Sequence, residues 1–499
     1  MTQAAASPAG NPLAMERLDL IKTGAFIGGE WVGEPSGATF PVLNPADGSL
    51  IVEIADGGAD LAKAAADAAA QAFVTWRHTT AKTRSSLLRA WFDLVIKHQD
   101  DLARLMAWEM GKPLAEAKGE VAYGAGYLEW FAEEAKRANG DVIPTPIAGR
   151  QMLAVREPLG VAAVITPWNF PVAMIARKFG PALAAGCTVV AKPAEDTPLS
   201  ALALVQLAHE AGVPAGVINI VPASRARTPD IAQAWLDDGR VRKISFTGST
   251  PVGKLLARGS ADTLKRLSLE LGGDAPFIVF EDADLDVAVD ALMKAKFRNA
   301  GQACIAANRV LVHDSIYDAF SGKMADAVGR LTVGAAQDGA FDIGPLINQR
   351  ALDKVERLVA EALAAGARVL VGGARHSSGG AFYQPTVLTD VPDHLRASCE
   401  EIFGPVLPIA RFKTEDEAVA LANDTAFGLA AYFCSKDQAR VWRVAGRLEA
   451  GMVGINEGAI SSEYAPFGGV KESGYGREGS VHGLAEYQSL KYICMGGLG

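Results

Sequence analysis

No stretch of these 499 residues is dense enough in lysine and arginine to make a cationic face, and 48 basic against 57 acidic residues leave a net charge of −9. A nucleic-acid partner is therefore not expected, because neutralising phosphates takes a concentrated basic surface. Cysteine is scarce too: there are five, Cys187, Cys304, Cys399, Cys434 and Cys494, odd in number and with no Cys-x-x-Cys pair. That arrangement fits neither a disulfide framework nor a zinc site. Long apolar runs are missing. The most apolar stretch, 161–176, is broken by Pro167, Asn169 and Pro171, so none reaches the ~18 residues a membrane span needs. Residues 1–14 are rich in alanine and proline and lack the cationic segment and apolar block of a secretory signal. These absences predict a cytoplasmic protein with no membrane and no nucleic-acid partner.

What is present is ordinary for a globular chain, 49% apolar and 21% charged, and rules out extended disorder. The length suggests roughly three structural units at about 150 residues each. Glycine is the deviation, 52 residues, and without a three-residue period it points to tight turns or close backbone approach to ligands. The first 15 to 20 residues read as a loose arm, followed by short strand-like runs at 25–27, 31–32 and 51–54. Leu88, Trp91, Phe92 and Val95 then form one apolar helical stripe, which Leu102, Leu105 and Met106 continue. From 161 the pattern becomes α/β. Strand-like runs at 161–165, 188–191, 217–221, 241–246 and 267–271 alternate with helical segments such as 200–211 and 252–260. Such spacing predicts parallel βαβ units in a doubly wound sheet, with ligands at the carboxyl ends of its strands. A second α/β block begins near 275. It runs through a helix at 285–295, a strand at 310–312, a helix at 355–365 and a strand at 369–371, to about 455. A terminal strand at 487–495 could pair with 141–156 as a hairpin-like arm.

The residues just past each strand are the first candidates. Asn169 sits in Thr166-Pro167-Trp168-Asn169-Phe170-Pro171, where two prolines stiffen the turn and its amide could donate to a developing oxyanion, or simply satisfy the turn itself. Lys192 and Glu195 flank a proline and offer a donor and an acceptor to a vicinal diol such as a ribose, or form a solvated ion pair. Gly248 and Ser249 open a helix, where a diphosphate could meet free N–H groups, although the pattern alone is weak. Glu270, between apolar residues and before Gly272-Gly273, is a candidate base with a raised pKa, or a capping or salt-bridged carboxylate. Cys304, behind a Gly-Gln turn, is a possible nucleophile, though most lone cysteines are inert and buried.

Taken in order, TPWNFP, KPAE, FTGST, ELGG, GQAC, EEIFGP and PFGG resemble the aldehyde dehydrogenase superfamily over about residues 26–495. The resemblance implies a Rossmann-type NAD-binding domain (21–140 and 160–273), an α/β catalytic domain (274–460) and a β oligomerisation arm (141–159 and 480–499), after a flexible arm at 1–20. It assigns Cys304 as nucleophile, Glu270 as general base and Asn169 as oxyanion donor. For the cofactor it implies Thr166, Trp168, Lys192 and Glu195, with Lys192 and Glu195 at the adenosine ribose, Gly248 and Ser249 at the diphosphate, and Glu401 and Phe403 at the nicotinamide ribose. It also implies a homo-oligomer, dimer or tetramer. Several of the glycines (Gly248, Gly253, Gly272, Gly273, Gly301) then fall where backbone approaches cofactor or nucleophile.

Within the superfamily, residues 174–178, 296–304 and 454–462 are similar to succinate-semialdehyde dehydrogenases, whose substrate carboxylate is held at positions matching Arg177, Arg298 and Ser462. Elementary chemistry agrees, since a small aldehyde with a terminal anion needs a guanidinium clamp away from the nucleophile; Arg298 in a structural ion pair is the plainer alternative. The implied reaction is oxidation of succinate semialdehyde through a cysteine thiohemiacetal and thioester, with Cys304 attacking as thiolate. Another anion-tagged aldehyde, glutarate semialdehyde or a sulfonated aldehyde, is the alternative. The Glu195 carboxylate would accept from a ribose 2′-hydroxyl and repel a 2′-phosphate, so NAD is expected over NADP, with NADP possible. Some close relatives carry a second cysteine two residues past the nucleophile, but here Ala306 follows Ile305, and no disulfide switch is expected in this loop. A non-redox acyltransferase or hydrolase would have no use for the cofactor residues. A purely structural protein would be expected to have lost Cys304 or Glu270.

Overall fold

Five parallel strands share one carboxyl edge, and that edge carries much of the expected site. In the computed structural model, which describes residues 13–391 and 400–497, the order across the first sheet is Ile218–Ile220, Thr188–Lys192, Val161–Ile165, Val241–Thr247 and Arg266–Glu270. Antiparallel strands extend both margins: Ala25–Ile27 and Glu30–Val32 on one side, Gly474–Tyr475 on the other. The inner strands are nearly continuous apolar runs, as expected of a parallel sheet covered on both faces. Register sets Ile165 beside Lys192 and Phe246, and Thr247 beside Glu270. The loops after four separate strands therefore emerge together.

One covering helix, Pro171–Ala185, is buried at all of its 15 residues. Proline starts it where no intrahelical donor is needed, and Gly186, at φ 95°, ends it in the left-handed conformation. Arg177 and Lys178 lie inside this apolar helix, so both charges need buried partners.

The second sheet orders Arg368–Val371, Thr386–Thr389, Val406–Phe412, Ala307–His313, Ala275–Val279, Ala430–Cys434 and Met452–Ile455. All but the first of these run parallel. A third, antiparallel sheet joins Asp141–Ile143, Gln151–Pro158 and Gln488–Met495, pairing the two distant segments that the sequence suggested for an arm. The architecture is thus the mixed α/β one expected.

Two expectations change. Residues 1–12 of the expected arm 1–20 lie outside the described residues, as do Cys399 and residues 498–499. Residues 13–20, however, are not loose. Leu13, Met15 and Leu20 are buried, the Asp101 carboxylate accepts from the backbone N–H groups of Glu16 and Arg17, and Arg17 pairs with Glu210 at 2.9 Å. Short apolar residues spaced among polar ones give no periodic signal, so this docking was invisible in the sequence. The long apolar stripe at 88–106 is two helices, Ala81–Lys97 and Gln99–Met110, broken at His98 (φ −105°, ψ 24°). Both stripes pack into the same core, which is why the break left the spacing of apolar residues readable.

Candidate active site

Cys304 stands at the junction of two cavities. One, of about 480 Å³, is lined among others by Tyr123, Phe170, Arg177, Arg298, Ser461 and Phe467. The other, of about 440 Å³, is lined by Trp168, Asn169, Glu195, Gly248, Ser249, Glu401 and Phe403 among others. The second cavity opens along the shared carboxyl edge of the first sheet, and Cys304 and Met174 are common to both.

The turn carrying Asn169 and the loop carrying Cys304 are hydrogen-bonded into one unit. Asn169 Nδ2 donates to the Gln302 carbonyl at 3.0 Å. The Asn169 carbonyl accepts from Lys112 Nζ and from Asn299 Nδ2, each at 2.9 Å, and Asn299 Nδ2 also reaches the Gln302 carbonyl at 3.1 Å. Gln302 in turn accepts from Ile347 N at 2.9 Å. One amide hydrogen of Asn169 is thus committed to Gln302, which orients the other. Asn299 and Ala300 hold left-handed backbone, φ 54° and 55°, a conformation costing about 1–3 kcal/mol per non-glycine residue. Gly273 is required by close approach, because a Cβ there would collide with the Cys304 carbonyl oxygen.

Glu270 ends its strand neither capping a helix nor salt-bridged: it is 2% exposed, and neither carboxylate oxygen has a hydrogen-bond partner. Burial, and next the nearby charge of Glu478, raise its pKa well above the usual carboxylate value, against the pull of Arg177 and Lys178. The apolar flanks of Glu270 had suggested such a shift. Burial likewise pushes the Cys304 thiol up to about 12, with the Glu401 charge adding to it. Attack as a thiolate, the form expected for Cys304, then requires that the thiol first give up its proton.

The anion-clamp residues behave differently from one another. Arg298 lines the first cavity over the rings of Phe170 and Tyr123, at 4.9 and 5.8 Å, and has no hydrogen-bond or ion-pair partner among the described residues. The structural ion pair considered for it does not form. Arg177 is 1% exposed and already pairs with Glu478, Nε to Oε2 at 2.5 Å, while stacking 4.0 Å over Phe467; its Nη2 has no partner. Ser462 does not line the cavity and instead donates to Glu463 at 3.4 Å. Its neighbour Ser461 lines the wall and meets the Tyr123 hydroxyl.

On the cofactor side, Trp168 and Phe403 meet edge to face at 5.5 Å. Glu401 accepts from Gly273 N at 3.3 Å, and burial pushes its carboxyl up to about 8. Lys192 and Thr166 do not line the cavity. The Lys192 ammonium is drawn to Glu195 Oε2 at 3.0 Å, and Thr166 is buried behind the turn. The remaining groups suit a dinucleotide: the helix Thr250–Ser260 opens at Ser249, and Thr247 Oγ1 is a buried, unpartnered hydroxyl on a residue of the cavity wall.

Sequence reading missed Glu478, Lys112, Glu116 and Glu120, the last a buried carboxylate that pairs with Lys112 and accepts from the Val172 and Ala173 N–H groups. Two adjacent cations in the apolar run 171–185 demanded an anion, but nothing in the sequence says it stands 300 residues away. Among the described residues no group of acidic, histidine or cysteine side chains could hold a metal, and no helix is long and apolar enough to cross a membrane.

Comparison with known proteins agrees with this geometry. The aldehyde dehydrogenase family profile matches residues 31–493. The NADP-dependent succinate-semialdehyde dehydrogenase of Escherichia coli (strain K12) is 54% identical over 478 residues, covering 96% of this chain and 98% of that protein. The 3-sulfolactaldehyde dehydrogenase of Pseudomonas putida is 53% identical, covering 97% and 99%. The crystal structure of a succinate-semialdehyde dehydrogenase from Burkholderia pseudomallei superposes with a TM-score of 0.95 at 54% identity, covering 97% of this chain and 100% of that one. The chain belongs to the aldehyde dehydrogenase family.

Proposed function

We propose that this aldehyde dehydrogenase oxidises succinate semialdehyde to succinate, with NAD preferred. One observation carries the substrate reading: the unpaired Arg298 guanidinium lines the same cavity as Cys304. A short aldehyde with a terminal carboxylate would set its carbonyl at the sulfur and its anion at the arginine. Arg177 contributes its one free Nη2, and Ser461, in place of the expected Ser462, contributes a hydroxyl. A sulfonated aldehyde is the second reading, favoured by the similarity to the sulfolactaldehyde enzyme, since a guanidinium suits either anion.

In the proposed mechanism, Glu270 in its ionised form takes the proton from Cys304 and releases it to solvent, and the thiolate attacks the aldehyde carbon. The free amide hydrogen of Asn169 and the backbone N–H of Cys304 hold the oxyanion. Trp168, Glu195, Ser249, Glu401 and Phe403 would hold the dinucleotide, which would supply a hydride acceptor there. Glu270, as carboxylate, then takes a proton from the water that hydrolyses the Cys304 thioester. Lys192 supports binding through Glu195, and Thr166 by backing the turn that holds Trp168. The Glu195 carboxyl is held below its usual value: burial opposes this, but the Lys192 charge, hydrogen bonds from Lys192 and the backbone, and the Arg225 charge together outweigh it. A carboxylate there favours a ribose hydroxyl over a 2′-phosphate.

The same proposal assigns the first sheet and its helices (21–140 and 160–273) to the cofactor and 274–460 to catalysis. It makes 141–159 with 480–499 an arm that joins copies into a dimer or tetramer, supported by the exposed Val142, Leu490 and Tyr492 on the third sheet. A cytoplasmic setting accords with the four free cysteines among the described residues.

Cys304→Ala should abolish aldehyde oxidation. Glu270→Gln, if some acylation persists, should give a burst of reduced cofactor followed by turnover slowed roughly 10²- to 10⁴-fold. Deacylation in the unsubstituted enzyme should rise with pH through the raised Glu270 pKa, because only the carboxylate acts as base, and this limb should vanish in Glu270→Gln; stopped-flow absorbance at several pH values checks both. Arg298→Ala should lower kcat/KM for succinate semialdehyde roughly 10- to 150-fold, the value of a charged hydrogen bond, while sparing an uncharged aldehyde of similar length. The same assay with sulfolactaldehyde ranks the two anions. Steady-state kinetics should give a higher kcat/KM with NAD than with NADP, and Glu195→Ser should narrow the gap. Leu490→Glu should lower the molar mass measured by light scattering.

A further inference from the structure

Three consecutive left-handed residues, Asn299, Ala300 and Gly301 (φ 54°, 55° and 74°), precede Cys304 by a few positions. Only the last is glycine, so the turn is one the chain does not favour by itself. The helix before it ends at Phe297, and Arg298 turns the chain away at ψ 132°, which carries the Asn299 N–H off the line of helical carbonyls. The acceptor for that N–H is the Glu116 carboxylate, whose two oxygens lie 2.9 and 3.2 Å from Asn299 N. Glu116 belongs to the first turn of a distant helix, Leu114–Glu134. It also lines the cavity that contains Arg298, where a negative charge opposes binding of an anionic substrate. The Glu116 charge also acts on Arg298, but the carboxylate's hydrogen bonds are made to the Asn299 backbone.

We propose that Glu116 is a positioning residue for the nucleophile. Its carboxylate pins the left-handed turn so that the Asn299 side chain reaches the Asn169 and Gln302 carbonyls and Cys304 falls at the junction of the two cavities. The inference rests on Cys304 being the nucleophile. It does not depend on which aldehyde is oxidised.

The test compares Glu116→Gln, Glu116→Ala and the double variant Glu116→Ala with Ala300→Gly in the full-length protein. Glutamine keeps an acceptor oxygen and loses the charge; alanine loses both; glycine at 300 removes the β-carbon cost of the left-handed turn. The readouts are the alkylation rate of Cys304 by iodoacetamide, mapped by mass spectrometry, and kcat against KM for the aldehyde. Glu116→Ala should slow alkylation and lower kcat about tenfold or more, with KM little changed. Glu116→Gln should stay within about threefold of the unsubstituted protein, and the added glycine should restore part of the loss. Equal alkylation rates in all variants would overturn the proposal. So would matched KM shifts in the Gln and Ala variants at constant kcat, the signature of a charge acting beside Arg298. If Glu116→Ala does not yield folded protein, Glu116→Asp carries the test: it keeps the charge one methylene short of Asn299, so slowed alkylation supports the proposal and an unchanged rate overturns it. An alkylated unsubstituted enzyme that still oxidises aldehyde would instead remove the reading of Cys304 beneath it.

Discussion

The hydrogen bonds converging on Asn169 make one rigid body out of two loops from opposite halves of the chain. Its carbonyl takes two donors, Lys112 and Asn299, and its amide gives one bond to Gln302. Each bond is modest alone, but all are buried, so breaking one leaves a polar group unpaired at a cost of about 1–3 kcal/mol. That penalty holds the Asn169 amide and the Cys304 loop in register. The paired cavities follow from this, since Cys304 can face both only if its loop crosses the carboxyl edge of the first sheet at a fixed place.

Charge is managed by the same logic. The helix Pro171–Ala185 carries Arg177 and Lys178 through an apolar core, and Glu478 meets both. Burial raises the pKa of Glu478, but the two cations outweigh it and keep the group ionised. Glu270, a neighbour without a hydrogen-bond partner, is left as the carboxyl that resists ionisation. Two glutamates in one buried cluster are thus pushed in opposite directions, and the protonatable one lies near Cys304. Arg298 is the counterpart outside the cluster: a guanidinium resting on two aromatic rings, with no direct ion pair among the described residues although the Glu116 charge acts on it from nearby.

Much of the frame was legible in the amino-acid order. The parallel strands fell close to where the apolar runs put them, because a strand buried on both faces has little choice of residue. Cys304, Glu270 and Asn169 were each singled out from position at a strand end or a glycine turn, and the structure brings Cys304 and Asn169 onto one cavity wall. The misses share a cause. Ser461 and Ser462 differ only in which way the backbone turns each hydroxyl, and of the two readings open for Lys192 the ion pair with Glu195 is the one that forms. The packed segment 13–20 and the raised pKa of the Cys304 thiol depend on neighbours far away in sequence.

The sequence by itself determined the periodicities, the turn residues and the chemical types available, since these follow from steric preference and side-chain chemistry within a few residues. Only the tertiary structure decided which charges are paired, which carboxyl has its pKa raised by burial, and which arginine is left to face a cavity. The reason is that burial and electrostatic partnership are sums over contacts separated by 300 residues or more, as between Lys178 and Glu478 or Tyr123 and Ser461. No local pattern encodes such a sum.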